Sequence, residues 1–146
     1  MNAEQGFSLF NLLAMIGWLS LVILPNHKIT DLLVHRHVLP ALLAIIYALV
    51  LLPELGAGEG DLSSLEGVMT SFTNPWLLLG GWIHYLCFDL FLGGWEARQA
   101  KLLGIPHVLM IPVLALTLMM GPCGFLVFVV VRFFYERKLT LKDSAA

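Results

Sequence analysis

Charge is what this sequence has least of. Only 12% of its 146 residues are Asp, Glu, Lys or Arg, against about 25% in an average soluble domain. Apolar residues make up 59%, more than a soluble globule of this length can hide. An ordinary cytosolic domain is excluded, as are disorder and a coiled coil. The net charge of −2 gives no basic field for nucleic acid. Cysteine is scarce too. Cys87 and Cys123 both lie inside apolar runs, where a free thiol acts as a small hydrophobe, so no disulfide framework is expected.

Several chemical signatures are missing. There is no Gly-x-Ser-x-Gly elbow, and no Ser or Cys stands next to a His at a turn. Five histidines are present, but none at the His-x-x-x-His spacing of membrane diiron enzymes. His35 and His37 are two apart and diverge on a helix. Nothing in the spacing of His84 and His107 demands a haem. No metal and no cofactor are therefore read from the sequence. Residues 56–60 are glycine-rich but acidic, which disfavours phosphate.

What is present is four apolar runs in one domain, at residues 7–24, 38–52, 76–95 and 105–135. About 20 residues cross a bilayer, so the expected fold is all-α, a polytopic integral membrane helix bundle. Pro25-Asn26 ends the first run, and Pro53 ends the second. The polar loop 53–75 carries acids and no base. Asp61 or Ser63 is a candidate cap for a short interfacial helix over residues 65–72, with Glu66 completing a capping box.

The last run is too long for one straight crossing and holds Gly121-Pro122-Cys123-Gly124 at its centre. One reading is a single helix kinked at Pro122 that protrudes, giving four crossings. The alternative is a hairpin of two helices of about 15 residues, giving five, each thin for a bilayer of about 30 Å. Four crossings divide the basic residues evenly: Lys28, Arg36, Arg98 and Lys101 on one side, and Arg132, Arg137, Lys138 and Lys142 on the other. Five put all eight on one side, as a positive-inside topology prefers. Length favours four and charge favours five.

Ionisable residues inside membrane runs point to function by default. Asp89 is the acid that lies well within a run, and His84 lies near mid-depth. At 100° per residue, Trp82, Tyr85, Asp89, Gly93 and Glu96 share one face of this helix. Gly80, Gly81, His84, Phe88, Phe91 and Trp95 share another. His84 and Asp89 diverge by about 140°, so each is expected to meet partners on other helices, with Asn11 and His107 as candidates. Glu96 and Arg98 read as a solvated pair at the helix end. Trp82 and Tyr85 are suited to stacking on a planar polyene.

The segment Trp82-Ile83-His84-x-Leu86-x-x-Asp89-Leu90-Phe91 resembles the signature of the abscisic-acid-deficient-four family. Pro25-Asn26-x-x-Ile29-Thr30, Leu39-Pro40 and Pro122-x-Gly124 fit the same pattern in order along the chain. Arg98-Gln99 stands later than the Arg-Gln of the plant pattern. The resemblance implies membrane carotenoid chemistry, since plant members are chloroplast proteins needed for neoxanthin synthesis. Without a transit peptide, the chain is expected to be a bacterial member in the inner membrane.

Neoxanthin forms by isomerising an epoxide to an allenic alcohol. That needs an acid at the epoxide oxygen and a base at an allylic hydrogen. Asp89 as base and His84 as acid is the assignment chemistry suggests. Trp82, Tyr85, Asn11, Glu96, Arg98 and His107 are the candidate ligand-binding residues. The expected partners are the bilayer, an apolar polyene or isoprenoid ligand, and a second copy or a partner enzyme. A non-enzymatic pigment-binding or assembly subunit is the alternative, and a small proton-coupled carrier is a third reading.

Overall fold

A computed structural model describes residues 2–54 and 62–143, with side chains to residue 136. The candidate cap Asp61 and the 56–60 loop lie outside the described residues. Among the described residues the secondary structure is helical, without strands.

Helix α1 (Ala3–Ile23) opens on a reciprocal cap. Asn2 Oδ1 accepts from the Gln5 amide at 2.9 Å, and Gln5 Oε1 accepts from the Asn2 amide at 3.2 Å. The short α2 (Lys28–Thr30) runs into a π-helical turn over Asp31–His35. Buried Thr30 fastens that turn beneath α1, its hydroxyl lying 2.6 Å from the Leu24 carbonyl and 3.0 Å from that of Ser20. His37 adopts φ 61°, the left-handed break that redirects the chain into α3 (Val38–Leu51). Helix α4 (Leu65–Ser71) is capped by Ser64, which accepts from the Gly67 amide at 3.0 Å, one residue later than the sequence suggests.

Helix α5 (Pro75–Leu102) starts with Asn74 as cap and Pro75 at its first position. It runs two turns beyond Trp95, the residue expected to mark its end. Helix α6 spans His107–Asp143. Four stretches are long and apolar enough to cross a membrane: Ala3–Ile23, Lys28–Glu54, Pro75–Leu102 and His107–Glu136.

Helix α5 is the hub of the bundle. Glycines bring α1 close to it: Gly17 meets Leu90 and Gly93 meets the Trp18 ring. The pairings Asn11–Trp82 and Trp18–Gly93 run in the same order, so α1 lies parallel to α5. Leu51–Gly80, Tyr47–His84 and Pro40–Cys87 run in opposite order, so α3 is antiparallel. Leucine, valine and phenylalanine side chains cover the outside, among them Leu12, Leu49, Val108 and Leu126, the surface a bilayer solvates. Both cysteines are free, and Cys87 is buried with its thiol 3.2 Å from the Pro40 carbonyl.

The fourth apolar stretch is not straight. Met120 leaves helical geometry at φ −146°, ψ 49°. In a continuous helix residues seven apart are separated by about 10 Å, yet a Cβ built on Gly124 would overlap the hydroxyl and backbone of Thr117. The outer contacts trace the same reversal. His107 starts beside the Val22 carbonyl, Leu118 reaches Tyr85, and Gly121 lies on Asp89. Phe125, Phe128 and Arg132 then return along α5 to Trp95.

The count of four long apolar helices holds, but the last is a fold-back rather than a protruding kinked rod. Its local ingredients are two. Pro122 has no amide hydrogen to give the Leu118 carbonyl four residues earlier. Gly121 and Gly124 let the arms and α5 approach where a side chain would not fit.

Candidate functional site

The fold-back tip rests on the middle of α5. Asp89 lies about 20 Å from either end of α5 at 1.5 Å per residue. It is buried, 8% exposed, and a Cβ on Gly121 would fall on its carboxylate. Two turns on, on the same face, Glu96 is 0% exposed. Thr117, on the descending arm of α6, places its hydroxyl 2.9 Å from Glu96 Oε2 and 3.0 Å from the Val113 carbonyl. A hydroxyl has one proton and serves only one of these acceptors at a time. Asp89 Oδ2 and Glu96 Oε1 are buried with no hydrogen-bond partner among the described residues. Two buried carboxyls, each with an unsatisfied oxygen, are a costly arrangement in an apolar bundle.

Tyr85, one turn before Asp89, donates its hydroxyl to the Leu118 carbonyl at 2.8 Å. That carbonyl is the acceptor orphaned by Pro122, so the tyrosine closes the gap that the fold-back opens. The Tyr85 hydroxyl is also an interaction partner of the Asp89 carboxyl. The expected face of Tyr85, Asp89, Gly93 and Glu96 is thus turned inward onto α6 and α1.

Trp82 turns to α1, where its indole donates to Asn11 Oδ1 at 3.1 Å. Asn11 in turn donates to the Phe7 carbonyl at 2.8 Å. Phe7, Trp82 and Tyr85 form a chain of rings with centroids 5.3 Å apart at each step. These rings line an open apolar groove of about 640 Å³ with Phe72, Leu78 and Gly81. A second cavity of about 230 Å³ continues from Trp82 and Tyr85 to Leu118 and Met119 at the fold-back tip.

The other candidates stand elsewhere. His84 is exposed on the opposite face, stacked at 4.6 Å on Phe88 and 5.7 Å from Tyr47. No hydrogen bond joins it to Asp89 among the described residues. Among the described residues no hydrogen bond joins Asn11 or His107 to Asp89 or His84, contrary to expectation. His107 Nε2 lies 2.9 Å from the Val22 carbonyl.

The expected Glu96–Arg98 pair is also absent. Arg98 Nη1 donates to the His35 carbonyl at 3.2 Å, and Glu96 points into the bundle. Extension of α5 past Trp95 carries Glu96 inside, and the fold-back of α6 covers it. No group of three or more His, Cys, Asp or Glu side chains gathers into a metal site among the described residues.

Thr117 and Gly121 are the site residues that sequence reasoning missed. A lone threonine in an apolar run is weak, but its place four residues before a glycine-proline break was a readable signal.

No curated protein and no solved structure matches the chain. A family model does match, over residues 5–128, from the first turn of α1 to the return arm beyond Gly121. The match takes in both buried carboxyls, the aromatic groove and the fold-back tip. That family is linked to neoxanthin synthesis, and the four apolar helices fit an integral membrane protein. On this match the chain belongs to the ABA DEFICIENT 4-like family.

Proposed function

We propose that this protein isomerises an apolar, carotenoid-like polyene within the membrane, with Asp89 as the proton-handling group. The observation that carries the reading is a pair of cavities that share Trp82 and Tyr85, one an aromatic groove and one reaching Leu118 and Met119 at the fold-back tip, whose Gly121 packs on the buried Asp89. The groove takes the flat polyene against aromatic faces. The reacting end lies in the smaller cavity against Leu118 and Met119, and in this reading it reaches the carboxyls once the fold-back tip moves aside.

For an epoxide substrate the step balances without redox. One carboxylate takes the allylic proton as the ring C–O bond breaks, and a protonated group returns a proton to the alkoxide oxygen. Asp89 and Glu96 supply such a pair in a water-poor site. The exposed His84 is less well placed for the acid role, which passes to Glu96 in this account.

A second reading, a pigment-holding subunit, is favoured by one fact: neither carboxyl lines the groove or the smaller cavity. Expression in a carotenoid-producing host with pigment profiling separates the two. The isomerase reading expects Trp82→Ala to lose co-purified pigment, and Asp89→Asn to keep pigment but yield no product. A pigment profile unchanged by the wild-type protein in a host making epoxy-carotenoids would sink it.

A further inference from the structure

The end of the bundle remote from the groove carries a third pocket, of about 440 Å³, between the turn after α1, the last turns of α5 and the start of α6. Ala97, Ala100 and Met110 contribute apolar wall, and the charged lining is Arg98, Lys101 and Asp31. Asp31 is already bonded to Arg36 Nε at 2.8 Å. Arg98 is half-buried and gives one bond, to the His35 carbonyl. Neither Arg98 nor Lys101 has a carboxylate partner among the described residues. Gly104, at φ 66°, turns the chain so that α6 begins at His107 in the pocket wall. The positive end of the first arm of α6 therefore adds to two cations without carboxylate partners among the described residues. His35 Nδ1 is buried there without a hydrogen-bond partner among the described residues.

Next in sequence to the lining residues Asp31, Lys101 and His107 stand Leu32, Leu102 and Val108, all large, apolar and exposed. A soluble anion has no use for such a rim. A lipid does, since its phosphate sits at the level where apolar helices end.

We propose that this pocket binds the phosphate of an anionic phospholipid head group, with Arg98 as a forked ligand, Lys101 as a point charge and the acyl chains along the apolar rim. The site is separate from the groove and does not depend on the isomerase reading.

Binding to the full chain in detergent is measured by native mass spectrometry and by thermal shift, with three probes: phosphatidylglycerol, phosphatidylcholine and inorganic phosphate. Phosphatidylglycerol is expected to bind at least tenfold more tightly than either of the others. Lys101→Gln alters an exposed side chain with no bond to lose, so the fold is retained. It is expected to weaken phosphatidylglycerol about tenfold, the loss typical of one charge-assisted contact. Arg98→Gln is expected to weaken it further, with Arg98→Lys recovering part. Equal binding of phosphatidylcholine would overturn the proposal, as would phosphate binding as tightly as the lipid, or a Lys101→Gln protein with unchanged affinity.

Discussion

Asp89 and Glu96 sit on one helix face two turns apart, and the difference between them is informative at the residue scale. Asp89 was legible in the sequence because apolar residues surround it on both sides. Glu96 was placed on the same face and among the ligand-binding candidates, but its burial was not legible, because Trp95 looked like an interface marker and Arg98 like its partner. What decided its burial was non-local: the overrun of α5 to Leu102 and the cover provided by Thr117 from α6.

Two substitutions test this packing. Thr117→Val removes the one hydrogen-bond donor to Glu96 among the described residues while keeping the shape. It is expected to destabilise the protein by about 1–3 kcal/mol, seen as a lower thermal midpoint in detergent, with Thr117→Ser close to wild type. Gly121→Ala drives a methyl into the Asp89 carboxylate and is expected to cost about 1–3 kcal/mol. In an Asp89→Ala background that penalty should shrink, because the colliding atoms are gone. An equal penalty in both backgrounds would place the strain elsewhere.

At the scale of elements, the fold-back of α6 bears on the conflict between length and charge. Its arms, about 13 residues down and about 11 back to Arg132, are each roughly 15–20 Å long at helical rise. That is half a bilayer rather than a whole one. A run of about 30 residues therefore fits without protruding, and the return arm ends beside Trp95, near the end of α5 from which the chain set out.

The sequence held both ingredients, the Gly-Pro-Cys-Gly break and the lopsided basic residues. It could not weigh them, because a proline kinks or reverses a helix according to what packs against it. Both ends of α6 are expected on one membrane face. A cysteine placed at Pro106 and a C-terminal tag should respond to the same impermeant reagents in intact vesicles. Accessibility from opposite faces would contradict the fold-back.

At the scale of the whole molecule, helical class and run positions followed from composition, since apolar helices are the economical way to satisfy a backbone in lipid. The order of helices around α5 did not follow. It depends on glycine contacts such as Gly17–Leu90 and Gly93–Trp18, which leave no trace in hydropathy. That order is what sets Trp82 of the aromatic groove against Asn11 of α1 and Asp89 against Gly121 of the fold-back tip. Leu90, 0% exposed at this crossing, is expected to lose about 2–5 kcal/mol on change to alanine. A thermal midpoint equal to wild type would show that the α1–α5 contact does not carry the bundle.

The most direct test of the central claim uses purified protein in proteoliposomes loaded with an epoxy-carotenoid, with products resolved by chromatography and mass. The wild-type chain is expected to yield an isomer of unchanged mass with an altered absorption spectrum. Asp89→Asn, folded and still binding pigment, is expected to yield none. Product formation by Asp89→Asn at the wild-type rate, or no conversion by the wild-type chain, would contradict the account.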